Sequence, residues 1–479
     1  MKSSIALHKT GNGILFAAML LVMSQTAFSQ NPPPAWGLTK YFQYNVENVL
    51  VNTTITGTWN VKVIFSVTNP HPGPSVPNNT WDIKNDLPFK STGGSVTIDI
   101  GWDSTEFTNT GSVPVIGTPS LVPRLTALDP VVTTSLGTGA AYPIQIRGLV
   151  TGANACASLA DCPGAVSLTN RFWISRTVTP LVFKGAVTIG RIGMEGHPVC
   201  NGLPGCPTTI APFANIPVRS AVADFSFTAT ATPTSALITD PRRPIVDFNS
   251  KCNGCHNGST LSGNGTLIPR LSLHGNNRNE NLKLCVMCHN PNQTDVPFRV
   301  ITADPRTSGP ETPVDLKRMV HAIHAGDFRK TPWVIIGFNT SINDYSSVRF
   351  PAKLSNCLNC HLDSNGKGTF ELPLKDTVLG TTVNTGSLYA ALPGANRTID
   401  VNPSNDLKIT PIAAACSACH DSSEVRSHMI RTGGASFSTL QANIGSAVIE
   451  RCPACHGPGK DKDVRKVHEI RTSGTSHDD

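Results

Sequence analysis

One five-residue pattern recurs five times in the second half of the chain. The copies are Cys252-Asn-Gly-Cys255-His256, Cys285-Val-Met-Cys288-His289, Cys357-Leu-Asn-Cys360-His361, Cys416-Ser-Ala-Cys419-His420 and Cys452-Pro-Ala-Cys455-His456. The spacing has a mechanical reading. Two thiols three positions apart reach the two vinyl groups on one edge of a porphyrin, and the histidine that follows swings under the ring to meet iron. A single C-x-x-C can instead be half a zinc site or a redox dithiol. Five copies, each closed by His, predict five covalently attached haem c groups, with His256, His289, His361, His420 and His456 as first axial ligands.

The remaining histidines bear on the other face of each iron. Beyond residue 245 there are six: His274, His321, His324, His428, His468 and His477. His477 lies in a polar terminus and is the natural spare. Five are left for five irons, and Met287, Met319 and Met429 are the only methionines in this half. The expectation is bis-histidine ligation, with His274, His321, His324, His428 and His468 as second ligands. Such irons have no open position, so the haems are expected to pass electrons and not to bind substrate. Thr312-Pro313-Val314-Asp315 reads as a helix start, with Thr312 as N-cap and Pro313 at the first position. Leu316 to Ala325 continues the helix and Gly326 ends it. His321 and His324, three apart, would then ligate two irons from one turn.

The rest of the chain differs in composition. Before residue 245 lie four Cys and three His; after it lie ten Cys and eleven His. Charged residues are only 15% of the whole, against roughly 25% in an average soluble domain. At the N-terminus Lys2 and Lys9 precede the apolar run Ile14–Met23, and Ala27-Phe28-Ser29 supplies small residues for cleavage. Residues 1–29 therefore read as a secretory signal peptide. The first cysteine is Cys156, so no lipid anchor is expected, and no later stretch reaches the ~20 apolar residues of a membrane helix. An exported protein at the cell surface, outside the cell or in the periplasm is implied. The formal charge of +7 does not argue for nucleic acid. Cleavage removes two lysines, ten haem propionates would be added, and no basic run carries interleaved aromatics.

Residues 30–245 read as a mainly β domain, a sandwich or barrel, and residues 246–479 as a haem-packed, irregular, partly α-helical domain. Asn60–Val67 and Gly94–Ile100 alternate apolar and polar residues with many β-branched side chains. Turn clusters such as Asn69-Pro70-His71-Pro72-Gly73-Pro74 separate such segments, with His71 solvated in its turn. Cys156/Cys162 and Cys200/Cys206 read as two local disulfides of an exported protein, with a metal site involving His197 as the rival. Asp363-Ser-Asn365-Gly-Lys367-Gly368 resembles the start of a calcium loop, but the ligand pattern stops at Lys367, which favours a plain turn.

Arg242-Arg243-Pro-Ile-Val-Asp247 leading into the first motif, Leu273-His274-Gly275-Asn-Asn-Arg278, the second motif with Asn290-Pro291, Met319-Val-His321-Ala-Ile-His324-Ala-Gly326 and Cys455-His456-Gly457-Pro458-Gly459 resemble the OmcA/MtrC family of outer-membrane cytochromes. Phe65-Ser66-Val67-Thr68 and Ile100-Gly101-Trp102 are more loosely similar to family strands. The resemblance implies bis-histidine haems and electron transfer to extracellular metal oxides, flavins or electrodes. It also implies partners among other cytochromes or an outer-membrane porin–cytochrome complex. The chain departs from the family in having one β-plus-pentahaem unit instead of two, no lipobox cysteine, and closer cysteine pairs. Three readings follow: an electron-transfer conduit or carrier, a self-assembling subunit of a haem filament, and a pentahaem reductase. Reductases resembling nitrite reductase carry a motif with Lys in place of His, and all five motifs here end in His.

Overall fold

The alternation in Asn60–Val67 puts Val61, Val63, Phe65 and Val67 on one side of a strand, and all four are buried. In the computed structural model this segment lies in β2 (Thr58–Thr68), which forms a hairpin with β1 (Gln43–Ile55). The structure describes residues 35–102, 144–146, 153–178, 187–206, 211–228, 234–239 and 245–470, except 56–57, 302, 365–366, 369–378, 388–399, 401–404 and 446. The signal-peptide reading, Arg242-Arg243, Asn365 and His477 fall outside the described residues.

β6 (Arg171–Val178) pairs with the far side of β2, setting Phe65 opposite Phe172 and Val63 opposite Ile174. The short β5 (Asn154–Ala155) completes a four-stranded antiparallel sheet in the order β1-β2-β6-β5. A second antiparallel sheet runs β4-β3-β7-β8-β9. Its strands are β3 (Ser95–Trp102), β4 (Ile144–Ile146), β7 (Val187–His197), β8 (Ala221–Thr228) and β9 (Ser235–Ile238). Val49, Val63 and Phe172 of the first sheet share one core with Ile98, Ile192 and Phe225 of the second. Two sheets over one core make a sandwich. One seam is laced: Ser235 Oγ accepts from Val51 N–H at 3.0 Å and donates to the Val49 carbonyl at 2.9 Å, tying β1 to β9.

Both local disulfides are present, Cys156–Cys162 and Cys200–Cys206. The first explains an irregularity in the alternation. Ile64 points away from the main core yet is fully buried, because it packs on Cys156 and Cys162. The disulfide loop covers the outer face of this sheet.

The second half has little regular structure. Its helices are short, among them α1 (Leu282–Cys288), α2 (Leu316–His324), α3 (Pro411–Cys416), α4 (Ser423–Arg431), α5 (Pro453–His456) and α6 (Val464–Val467). α2 corrects one expectation. Its N-cap is Asp315, not Thr312. Pro313 instead bridges Thr294, and Val314 N–H bonds the Gln293 carbonyl at 3.0 Å, so this segment is extended until Leu316. The helix ends at His324, and Gly326 opens a separate 3-10 turn, Gly326–Phe328. Asp363–Ser364 pairs antiparallel with Lys367–Gly368 as a tight hairpin.

The two halves meet at β7. A Cβ on Gly193 would lie 2.3 Å from Leu284 Cδ1 and 3.2 Å from Met287 Sδ. α1 therefore docks where the strand has no side chain. Beside it a buried Arg191–Asp224 ion pair (2.8 and 3.1 Å) also donates to the Lys283 carbonyl at 3.2 Å.

Candidate haem sites

All five C-x-x-C-H segments adopt the same local form. In each, the His backbone N–H bonds the carbonyl of the first Cys, at 2.9 Å for His256, 2.8 Å for His289 and His361, 3.0 Å for His420 and 2.9 Å for His456. This is one helical turn, and it brings the two thiols and the imidazole to one side of the backbone. The second motif lies on α1, the fourth at the end of α3 and the fifth on α5. The first and third sit on 3-10 turns, Cys252–Gly254 and Cys357–Asn359.

All ten thiols are unbonded. Burial pushes Cys252, Cys285, Cys357 and Cys452 up to about 11 and Cys416 up to about 12, and it raises Cys288, Cys360 and Cys419 as well. Redox dithiols and zinc thiolates need the opposite shift. Among the described residues no group of three or more His, Cys, Asp or Glu gathers as a metal site, whereas structural zinc takes four such ligands. Near His197, Cys200 and Cys206 are joined in a disulfide. Thiols that burial keeps protonated, next to the motif imidazole, fit thioether attachment to a porphyrin.

Each motif histidine faces one further histidine. The ring centroids are 6.1 Å apart for His256 and His324, 5.9 Å for His289 and His274, 5.9 Å for His361 and His321, 5.9 Å for His420 and His468, and 6.3 Å for His456 and His428. The five pairs share no member. Two imidazole nitrogens each ~2 Å from one iron, plus about 1 Å from each nitrogen to its ring centre, give roughly 6 Å between centroids. The gaps are therefore of the size that a haem iron fills.

The ring orientations fit as well. His256 Nδ1 bonds the Pro269 carbonyl at 3.0 Å, His289 the Val314 carbonyl at 2.9 Å and His456 the Lys462 carbonyl at 3.0 Å. On the opposing side His324 bonds Val320 at 2.8 Å and His468 bonds Val464 at 2.9 Å. A carbonyl can only accept, so Nδ1 carries the proton and Nε2 keeps its lone pair for a metal. Burial lowers the pKa of His256, His289, His324 and His420 and brings His321 down to about 4. These imidazoles are neutral at pH 7, the form that binds iron.

Neighbouring motifs lie against one another. Cys285 and Cys360 lie near Cys252, Cys419 lies near Cys357, and Cys452 lies near Cys416. Lys251 Nζ bonds the Leu358 carbonyl at 2.8 Å, and Cys419 Sγ lies 3.8 Å from the His321 carbonyl. The sites follow in the spatial order second, first, third, fourth, fifth. α2 joins the first to the third by carrying both His324 and His321. The last two interlock, because His428 follows the fourth motif but faces the fifth, and His468 follows the fifth but faces the fourth.

Nothing in the motif spacing pointed to Arg318 and Arg329. Arg318, buried on α2, donates to the Ala414 carbonyl at 3.0 Å and to Ser417 Oγ at 2.7 Å. Arg329 bonds the Ala418 carbonyl and pairs with Asp421 at 3.3 Å. Their guanidiniums lie 5.5 and 5.1 Å from the Trp333 ring. This cluster bolts the fourth motif to the helix that holds His321.

Among the described residues no helix is long and apolar enough to cross a membrane. A comparison with curated proteins finds no match. Residues 243–469 match the family model described as outer membrane cytochrome MtrC/MtrF-like, domains II/IV. The matched stretch contains all five motifs and all five facing histidines, and over these residues the chain belongs with the OmcA/MtrC family of outer-membrane multihaem c-type cytochromes.

Proposed function

We propose that the chain binds five haems c, each with two histidine ligands, and conducts electrons along them as part of extracellular electron transfer. The observation that carries this reading is the division of ten histidines into five disjoint facing pairs, one to each C-x-x-C-H turn. The covalent anchors are the motif cysteines. The pairs His256/His324, His289/His274, His361/His321, His420/His468 and His456/His428 would each hold one haem iron. Bound haem c supplies a one-electron iron couple. With two histidines for each iron no position would be left for substrate, so transfer to an acceptor would be outer-sphere and the chain a carrier, not an enzyme.

The order of sites supports a direction for use. The second site lies against the β sandwich, while at the far end Cys455 of the fifth motif is exposed. A haem held there would reach solvent, where electrons could pass to or from a partner, such as another cytochrome, a porin–cytochrome complex of the outer membrane, a flavin or a metal oxide. We further propose that the chain is exported and works at the cell surface.

Two measurements test this. A pyridine haemochrome assay should give five haems per chain, and EPR of the oxidised protein should show low-spin ferric haem only. A different stoichiometry, or a full-intensity high-spin signal, sinks the assignment of sites. Protease treatment of intact cells should remove the protein, and protection equal to that of a periplasmic marker overturns the surface location.

A further inference from the structure

Four of the five facing histidines are carried by helices of the haem half. His321 and His324 lie on α2, His428 on α4 and His468 at the C-terminal cap of α6. Helical hydrogen bonds fix their backbones with no help from elsewhere. His274 is different. It sits in the turn of a two-residue hairpin, Ser272–Leu273 with Arg278–Asn279. Three consecutive residues there have left-handed backbone: His274 (φ 54°), Gly275 (φ 72°) and Asn276 (φ 71°). Only Gly275 lacks the Cβ that opposes this conformation, and L-residues rarely hold it in succession.

The turn is held from the β sandwich. Asn277 sits at the junction. Its Nδ2 donates to the His274 carbonyl at 3.0 Å, its Oδ1 accepts from Ser95 Oγ of β3 at 3.0 Å, and its carbonyl accepts from Gly196 N–H of β7 at 2.9 Å. Asn215 Nδ2 donates to the Gly275 carbonyl at 3.4 Å. Arg278 forms a bidentate ion pair with Glu195 of β7, and Asn279 N–H bonds Ser220 Oγ at 3.1 Å. Backbone in sparsely populated regions persists where surrounding contacts over-determine it, and such places are commonly functional.

We propose that the β sandwich is the device that positions the sixth ligand of the second haem, with Ser95, Glu195 and Asn277 as positioning residues acting through His274. The inference rests on the reading of His274 as that ligand. It makes the second iron the one whose closure depends on contact between the two halves: loosening that contact lets the turn relax and the imidazole leave, while the other four irons stay closed.

The test compares His274→Ala with Asn277→Ala, Ser95→Ala and Glu195→Gln in the full-length, haem-loaded protein. The readouts are the high-spin fraction by EPR and the binding of carbon monoxide to the dithionite-reduced form. His274→Ala should open one haem in five. Asn277→Ala should raise the ligand-off population of that same haem by roughly ten-fold, the scale of losing buried hydrogen-bond partners. Its carbon monoxide binding should accelerate in proportion, and Ser95→Ala should act in the same direction more weakly. If His274→Ala opens one haem but Ser95→Ala and Glu195→Gln stay low-spin with unchanged carbon monoxide kinetics, the positioning role is wrong and the ligand assignment stands. If His274→Ala leaves all haems low-spin, the ligand assignment itself fails and the proposal with it. Should Asn277→Ala not mature with five haems, the two milder variants decide alone.

Discussion

The two halves of the molecule fill their interiors with different material. The β sandwich has one continuous apolar core drawn from both sheets, including Phe42, Phe65, Trp81, Phe89, Phe172 and Phe225. In the haem half the described apolar clusters are small and built largely from alanine, such as Ile409, Ala413, Ala414, Met429 and Ala435, or Ala322, Trp333 and Ala418. What it buries instead is polar. Asp295 holds Arg299 bidentately at 2.6 and 2.8 Å and accepts from the Thr312 and Ile336 backbones, while Glu311 bonds Thr294 and Thr385. Such networks fix geometry, but they add little net stability compared with burial of apolar surface. The difference teaches that one half carries its own driving force for folding and the other depends on what it binds.

The largest effect that can break this comparison is loss of the haems. Chain produced without haem attachment should fall to protease throughout residues 246–470 while a fragment of about residues 35–240 survives, as metal-dependent domains unfold without their metal. Survival of both halves would mean that the polar network suffices. Next in size is a cavity in the sandwich. Phe65→Ala should cost about 3–5 kcal/mol in denaturant unfolding of the β half, with the haem spectrum unchanged.

How far each half can be read from sequence follows the same division. The strands of β2 and β3 were legible because burial on one face imposes a period of two. Their neighbours were not, since β2–β6 and β3–β7 pair across roughly a hundred residues of chain and no local pattern encodes that. The motif turns were legible because covalent attachment dictates their spacing. Which histidine faces which was not: chain order would match His420 with His428, and the structure crosses them with His468 and His456. Thr312-Pro313 has the composition of a helix start, but pairing with Thr294 holds it extended and passes the cap to Asp315. The grip of Ser95 and Glu195 on the His274 turn joins residues far apart in the chain, and single polar residues at strand ends give no signal.

A pH experiment sharpens the contrast from the sandwich side. His197 at the end of β7 is buried, and burial lowers its pKa from 6.5 to about 4. Between these values the unfolded chain holds a proton that the folded chain does not. Stability from this group is therefore complete above about pH 6.5 and is lost as pH falls toward 4, by ~3 kcal/mol in all. Denaturant midpoints of the β half at pH 7 and pH 4.5 should differ less in His197→Gln than in the parent. An equal difference would show that other groups carry the acid sensitivity.

The smallest effect concerns the covalent ties, which the two halves also use differently. In the other half all ten cysteines lie in C-x-x-C-H motifs, and on the proposed reading its cross-links would run from chain to porphyrin. In the sandwich Cys156–Cys162 closes a loop with a sequence separation of only 6. So short a loop removes little entropy from the unfolded chain, which sets the stabilisation at about 2 kcal/mol. The same residues cover Ile64 on the outer face of the β1-β2-β6-β5 sheet, so their loss should also loosen that face. The double variant Cys156→Ser/Cys162→Ser should lower the denaturant midpoint of the β half by this modest amount. The His274 turn is gripped by β3 and β7 of the other sheet, so the low-spin EPR signal should not change. A high-spin signal in this variant would show that the two sheets are mechanically coupled and that the sandwich answers to the haems as one body.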